Sequence, residues 1–246
     1  MNAAVGTTLP PALPIRLVDL VTAELTKIRT LPSVWLALAT ALIANTALGF
    51  VAATDVIRIA GNDGQTEIAQ IGTLMLAPVY AFLAIAVFAA GTEYRGGQLR
   101  LSLVAAPRRN RFFAAKLLAT VAVTLPTAAV VLLPSLALQH AAADLGRYLL
   151  AYLLLALIGY GFAFAVQTVI TPIAVLAALP ILISTTLGGL LPDVVRLLPH
   201  EATLSFLRMP ADPATALSPG AGLLVLSAWA AVSVAIAWAM MRRRDA

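Results

Sequence analysis

The chain contains no cysteine and only two histidines among its 246 residues. Without thiols there is no disulfide, no thiolate metal site and no cysteine nucleophile. His140 and His200 stand in separate connecting segments with no second ligand at metal spacing nearby, so no metal site is expected. No Gly-x-x-x-x-Gly-Lys-Ser/Thr phosphate loop occurs, and the Gly96-Gly97 pair has neither its spacing nor its lysine. The chain is therefore expected neither to bind nor to hydrolyse ATP by itself. Asp193 and Glu201 flank His200, but a hydrolytic site needs convergent geometry, and these acids read as solvated loop residues. No catalytic residue is assigned.

Charge is also scarce, at 11% of residues against 61% hydrophobic. Several uninterrupted apolar runs exceed the ~18 residues that separate a membrane span from a buried helix. Six spans are expected, at about 33–53, 70–90, 117–138, 148–168, 172–191 and 221–241. None contains Asp, Glu, Lys, Arg or His. Ion-coupled carriers generally hold an ionisable group at membrane depth, so a secondary transporter is disfavoured and the energy source is expected outside the chain. The net charge of +5 carries topology here rather than nucleic-acid binding.

Residues 1–14 are uncharged, include Pro10, Pro11 and Pro14, and read as a disordered lead rather than a signal peptide. Over 15–31, Leu17, Val18, Val21, Leu25 and Ile28 recur at helical spacing. Arg16, Asp19, Thr22, Lys27 and Arg29 fall elsewhere around the wheel, which predicts an amphipathic helix lying along the interface. Glu24 borders its apolar face, and the plain reading is an i,i+3 pair with Lys27. Asn45, the most polar member of the first span, is expected to bond a neighbouring helix and, second to that, to line a cavity. Ser184, Thr185 and Thr186 near the end of the fifth span either bond backbone locally or line such a cavity. The proline-rich connection 192–220 is expected to form short interfacial or re-entrant helices.

Loop 91–116 holds six of the sixteen Lys and Arg residues: Arg95, Arg100, Arg108, Arg109, Arg111 and Lys116. With both termini inside, Arg16, Lys27, Arg29, these six and Arg242 to Arg244 lie on the cytoplasmic side. Only Arg58, Arg147, Arg196 and Arg208 remain outside. That asymmetry follows the positive-inside rule. The expected fold class is thus all-α, a polytopic membrane protein with an N-terminal interfacial helix and both termini cytoplasmic.

The loop pattern of Glu93 followed by Gly97, Leu99, Leu103, Pro107, Arg109 and Lys116 resembles the loop after the second span in bacterial ABC transporter permeases of the type 2 exporter class. The stretch Glu24-Leu25-Thr26-Lys27-Ile28-Arg29-Thr30, with Trp35 beyond it, is similar to that family's entry helix. The Gly96-Gly97-Gln98 stretch departs from it, a Gly-Thr pair being more usual there. Taken with the span order and the long last connection, the resemblance covers nearly the whole chain.

The family implies a multi-pass protein of the bacterial cytoplasmic membrane, paired with a second permease copy or paralogue above two separate ABC ATPase subunits, which carry the ATP and Mg. It implies export of an amphipathic or hydrophobic substrate such as a drug, lipid, peptide or glycoconjugate. A short helix from Gly97 to Ala106 would dock in the ATPase through Leu99 and Leu103. Arg95, Arg100, Arg108, Arg109 and Arg111 would reach acidic partner residues or lipid headgroups, and Glu93 belongs to the same coupling segment. A reading of a different class is a non-transporting scaffold or sensor that recruits a cytoplasmic partner through this loop.

Overall fold

The computed structural model describes residues 15–54, 72–97, 108–186 and 190–243. All regular structure among them is helical. Helix α1 (Leu17–Thr30) opens with Arg16 outside its first turn, where the Asp19 carboxylate accepts the Arg16 backbone N–H at 2.9 Å. Leu31 breaks the chain direction and Pro32 begins α2 (Pro32–Ala53), a position where the missing proline N–H leaves no helical bond unmade. Trp35 fastens the corner by donating its indole N–H to the Arg29 carbonyl at 2.8 Å.

Helix α3 (Pro78–Gly91) is preceded by a helical turn from residue 72, interrupted at Ala77, and passes into a 3-10 turn, Thr92–Gly97. The interruption falls immediately before Pro78, the first residue of α3. Helix α4 (Arg109–Leu138) starts about two turns before the apolar run that the sequence marks as a span. At ~1.5 Å per residue its thirty residues exceed a ~30 Å hydrocarbon layer, so its Arg-rich head has length to project beyond it. Pro126 and Pro134 lie inside it. The Thr120, Thr124 and Thr127 hydroxyls donate to carbonyls one turn back, giving the helix local polar partners around the proline-bearing stretch.

A 3-10 turn, Ala142–Asp144, leads into α5 (Leu145–Val166), which ends at Gln167 in the left-handed conformation (φ 59°). Helix α6 (Ile170–Thr186) follows almost at once, as the three-residue connection predicts. Two short helices, α7 (Pro192–Val195) and α8 (Pro199–Leu207), precede the closing α9 (Pro219–Arg243).

Among the described residues five segments are long and apolar enough to cross a membrane: Pro32–Ala53, Gly72–Tyr94, Arg109–Leu138, Ala142–Val166 and Pro219–Arg243. The described part of α6 has 17 residues, fewer than a ~20-residue span, and residues 187–189 after it lie outside the described residues. The chain runs back and forth through these helices. The start of α2, the end of α3, the starts of α4 and α6 and the end of α9 gather at one basic end. The opposite end carries Arg147, Arg196 and Arg208 and the packed helix α8.

Helices α3 and α5 form the centre. Phe82 rests on Tyr152 (ring centroids 5.0 Å), and Tyr160 on Phe164 (4.9 Å), with Phe113 from α4 edge-on to both of the latter. Gly161 lets α5 approach α9 so closely that an added Cβ would collide with the Ser233 carbonyl. Gly161→Ala is expected to force these helices apart and cost about 1–3 kcal/mol, read as a lower midpoint of thermal unfolding in detergent.

Candidate functional site: a buried ion network at the basic end

Four charged side chains that are scattered along the sequence converge at the basic end. Glu24 and Lys27 come from α1, Glu93 from the turn after α3, and Lys116 from the second turn of α4. Lys116 Nζ donates to Glu24 Oε2 at 2.8 Å and lies 3.0 Å from Glu93 Oε1. Lys27 Nζ completes the circuit, 2.6 Å from Glu24 Oε1 and 3.0 Å from the same Glu93 oxygen. Two carboxylates thus face two ammonium groups, and each lysine bridges both acids.

Burial separates this network from surface ion pairs. Glu24 and Glu93 are each 3% exposed and Lys116 only 1%, whereas the Lys27 side chain remains 47% exposed. Phe112 closes one side, with both lysine nitrogens 5.9 Å from its ring centroid. Glu93 Oε2 has no hydrogen-bond partner among the described residues, so Glu93 is satisfied through one oxygen alone. By contrast, the pairs Arg147–Asp144 and Arg196–Asp193 are exposed i,i+3 contacts of the kind that contributes little.

Burial by itself would lift the Glu24 carboxyl, but Lys116 and then Lys27 outweigh it and hold its pKa below the ordinary 4.5. For Lys27 burial acts downward, and the bond to Glu24 and the field of Glu93 reverse that, raising it above the ordinary 10.5. A depressed carboxyl stabilises the folded state above its unfolded pKa and loses that contribution as pH falls. A raised ammonium does the reverse, losing its contribution as pH climbs past 10.5. Attachment of α1 is accordingly expected to be firm across neutral pH and to loosen below the usual carboxylate range and again above that of lysine. Hydrogen exchange of residues 17–30 against pH measures it.

The other residues singled out from sequence divide into several groups. Arg29 lies on α1 as an exposed residue outside the network. Arg108, Arg109 and Arg111 surround the start of α4 beside the end of α9, where Arg109 donates to the Arg242 carbonyl at 3.2 Å and Arg242 lies over Trp238 at 4.7 Å. Leu99, Arg100 and Leu103 lie outside the described residues. Arg95 and Gly97 belong to the 3-10 turn, but the Arg95 side chain, like those of Ser184, Thr185 and Thr186 in α6, is outside the description. Glu93, expected in the coupling segment, points into the protein rather than away from it.

Asn45 is buried and donates its amide to the Val131 carbonyl of α4 at 3.0 Å, the interhelical bond expected of it. It also lines a cavity of about 330 Å³ with Ser135, Gln139, Tyr148, Tyr152 and Met209.

Sequence reasoning missed the convergence of Lys116 and Glu93 on the Glu24–Lys27 pair. It also took His200 and Glu201 for solvated loop residues, and both are buried at 5% exposure. The reason is α8, whose residues from His200 to Leu207 are all buried, packed against α9 and α5. Burial lowers the His200 pKa to about 4, so its ring is neutral at ordinary pH. That neutral ring is engaged by the Tyr80 hydroxyl at 2.6 Å and by the Thr73 hydroxyl at 3.2 Å. Among the described residues no cluster of His, Cys, Asp and Glu could hold a metal ion.

Comparison of the sequence with protein-family models finds no matching family, and comparison with curated proteins finds no matching relative.

Proposed function

We propose that the chain is the membrane permease subunit of an ATP-driven exporter of the ABC type 2 class, working as a dimer above two separate ATPase subunits. In this reading the chain spans the bacterial inner membrane six times, the fifth span being the apolar run 172–191, and both termini face the cytoplasm. The ion network is the observation that carries the proposal. It ties α1 to the last turn before residues 98–107 and to the helix just after them, so both flanks of the loop and the interfacial helix form one block.

A partner that pulls on the loop therefore moves α1, α3 and α4 together instead of bending the connection alone. Spans so joined tilt as rigid rods and change the access of a cavity between helices. The spans expected from sequence carry no ionisable group, which supports placing the energy source in another chain. The substrate in this reading is amphipathic or hydrophobic.

Isolation of the full chain with its bound partners from native membranes tests the proposal. A co-purifying P-loop ATPase, with ATP hydrolysis that follows the ATPase and not the permease, is expected. A kinase or regulator in its place would support the scaffold reading, and robust hydrolysis by the purified chain alone would overturn the division of labour.

A further inference from the structure

Between α3, α5, α6, α8 and α9, with the start of α8 at its end away from the ion network, lies a partly open cavity of about 320 Å³. That lies at the lower end of the ~300–1,000 Å³ typical of small-molecule sites. Its walls are almost wholly apolar, formed by residues such as Leu83, Ile158, Phe162, Leu176 and Ile236. Glu201 and His200, at the start of α8, are among its lining residues, as is Tyr80, whose hydroxyl bonds the His200 ring.

These polar groups are not equivalent. His200 is neutral and already bonded through both ring nitrogens. Glu201 is 5% exposed, and its described polar partner is the Thr215 hydroxyl, 3.1 Å from Oε2. No Lys or Arg pairs with it among the described residues, and Asp212 adds a second negative charge nearby. A buried carboxyl without a cation is costly when ionised, and burial raises its pKa. The cavity therefore joins an apolar volume to an acid with no counter-charge among the described residues.

We propose that this cavity binds an aliphatic ammonium compound, with its hydrocarbon portion between α5, α6 and α9 and its ammonium group on Glu201. The ammonium supplies the missing charge through a charge-assisted hydrogen bond, and any proton carried by the carboxyl leaves to solvent as the pair forms. A fatty alcohol of the same length fills the volume but brings no charge, and a carboxylate would face Glu201 and Asp212. Binding here stands apart from the coupling proposal because it needs neither an ATPase nor transport.

Trp229 lines the cavity, held by its indole N–H on the Leu197 carbonyl at 2.8 Å, and is one of only three tryptophans. With Trp35 and Trp238 replaced by phenylalanine, its fluorescence reports occupancy. The test is quenching by nitroxide-labelled dodecylamine and dodecanol in phosphatidylcholine nanodiscs, with unlabelled dodecylamine competing. Saturable quenching by the amine, about tenfold tighter than by the alcohol, is expected. Glu201→Gln is expected to abolish that difference, and Leu176→Trp on the cavity wall to abolish saturable binding of both. Equal affinity for amine and alcohol, an amine preference that survives Glu201→Gln, or quenching that never saturates would each overturn the proposal. Equilibrium dialysis of dodecylamine against dodecanol on the unmodified chain decides the same question if the substituted proteins do not fold.

Discussion

Replacing Lys116 with methionine is expected to destabilise the attachment of α1 by about 3–5 kcal/mol, although the substitution keeps much of the side-chain volume. The change leaves Glu24 and Glu93, each 3% exposed, sharing the half-exposed Lys27 alone. An unpaired buried carboxylate cannot recover its hydration, so the cost is dominated by the acid left behind rather than by the lost attraction. Hydrogen exchange in bilayer nanodiscs reads the effect as faster exchange over residues 17–30.

The paired replacement Glu24→Met with Lys116→Met makes the test specific. It leaves Lys27 and Glu93 as a one-to-one pair, 3.0 Å apart, and sets two apolar side chains where the other pair stood. Most of the lost stability should return. A single variant within about 0.5 kcal/mol of the parent, as expected of an exposed pair, would show that the network does not hold α1 in place.

The second large effect is expected from Leu103→Asp. In the coupling proposal Leu103 is an apolar anchor in the ATPase, and removing a central anchor typically costs about 2 kcal/mol or more. That corresponds to roughly 30-fold weaker docking, and a buried carboxylate in the cleft adds its own desolvation cost. Transport and substrate-stimulated ATP turnover should fall together while the thermal stability of the permease itself stays unchanged. Loss of stability with coupling retained would assign Leu103 to the permease fold instead.

The contrast between these two residues also marks what the sequence could reveal. Uninterrupted apolar runs announce helices because few other structures satisfy a backbone in hydrocarbon, and α2, α4, α5 and α9 fall where those runs are. The Glu24–Lys27 contact is equally visible, since i,i+3 neighbours share a helix face. Lys116 was read as the end of a loop because it precedes an apolar run, yet it lies inside α4 and is among the most buried side chains.

Nothing local marks it as the partner of Glu24, because the contact joins positions far apart in the chain and depends on how α1 crosses α4. Proline-rich segment 192–220 shows a similar limit. Its short helices were legible from Pro192 and Pro199, but the depth of α8, and with it the burial of His200 and Glu201, depends on the space left between α3, α5 and α9. The described part of α6, Ile170–Thr186, lies over the fifth apolar run, whose last residues include ones outside the described residues.

The absence of cysteine allows the coupling claim to be tested directly, since Leu103→Cys introduces a unique thiol. A short thiol-directed photocrosslinker attached there, activated in intact cells, followed by mass spectrometry of the adduct, identifies what touches the loop. The account predicts a P-loop ATPase captured through its own surface, with the yield changing when ATP is depleted. Capture of a kinase or regulator, or no adduct except lipid while the chain still supports transport, would contradict it.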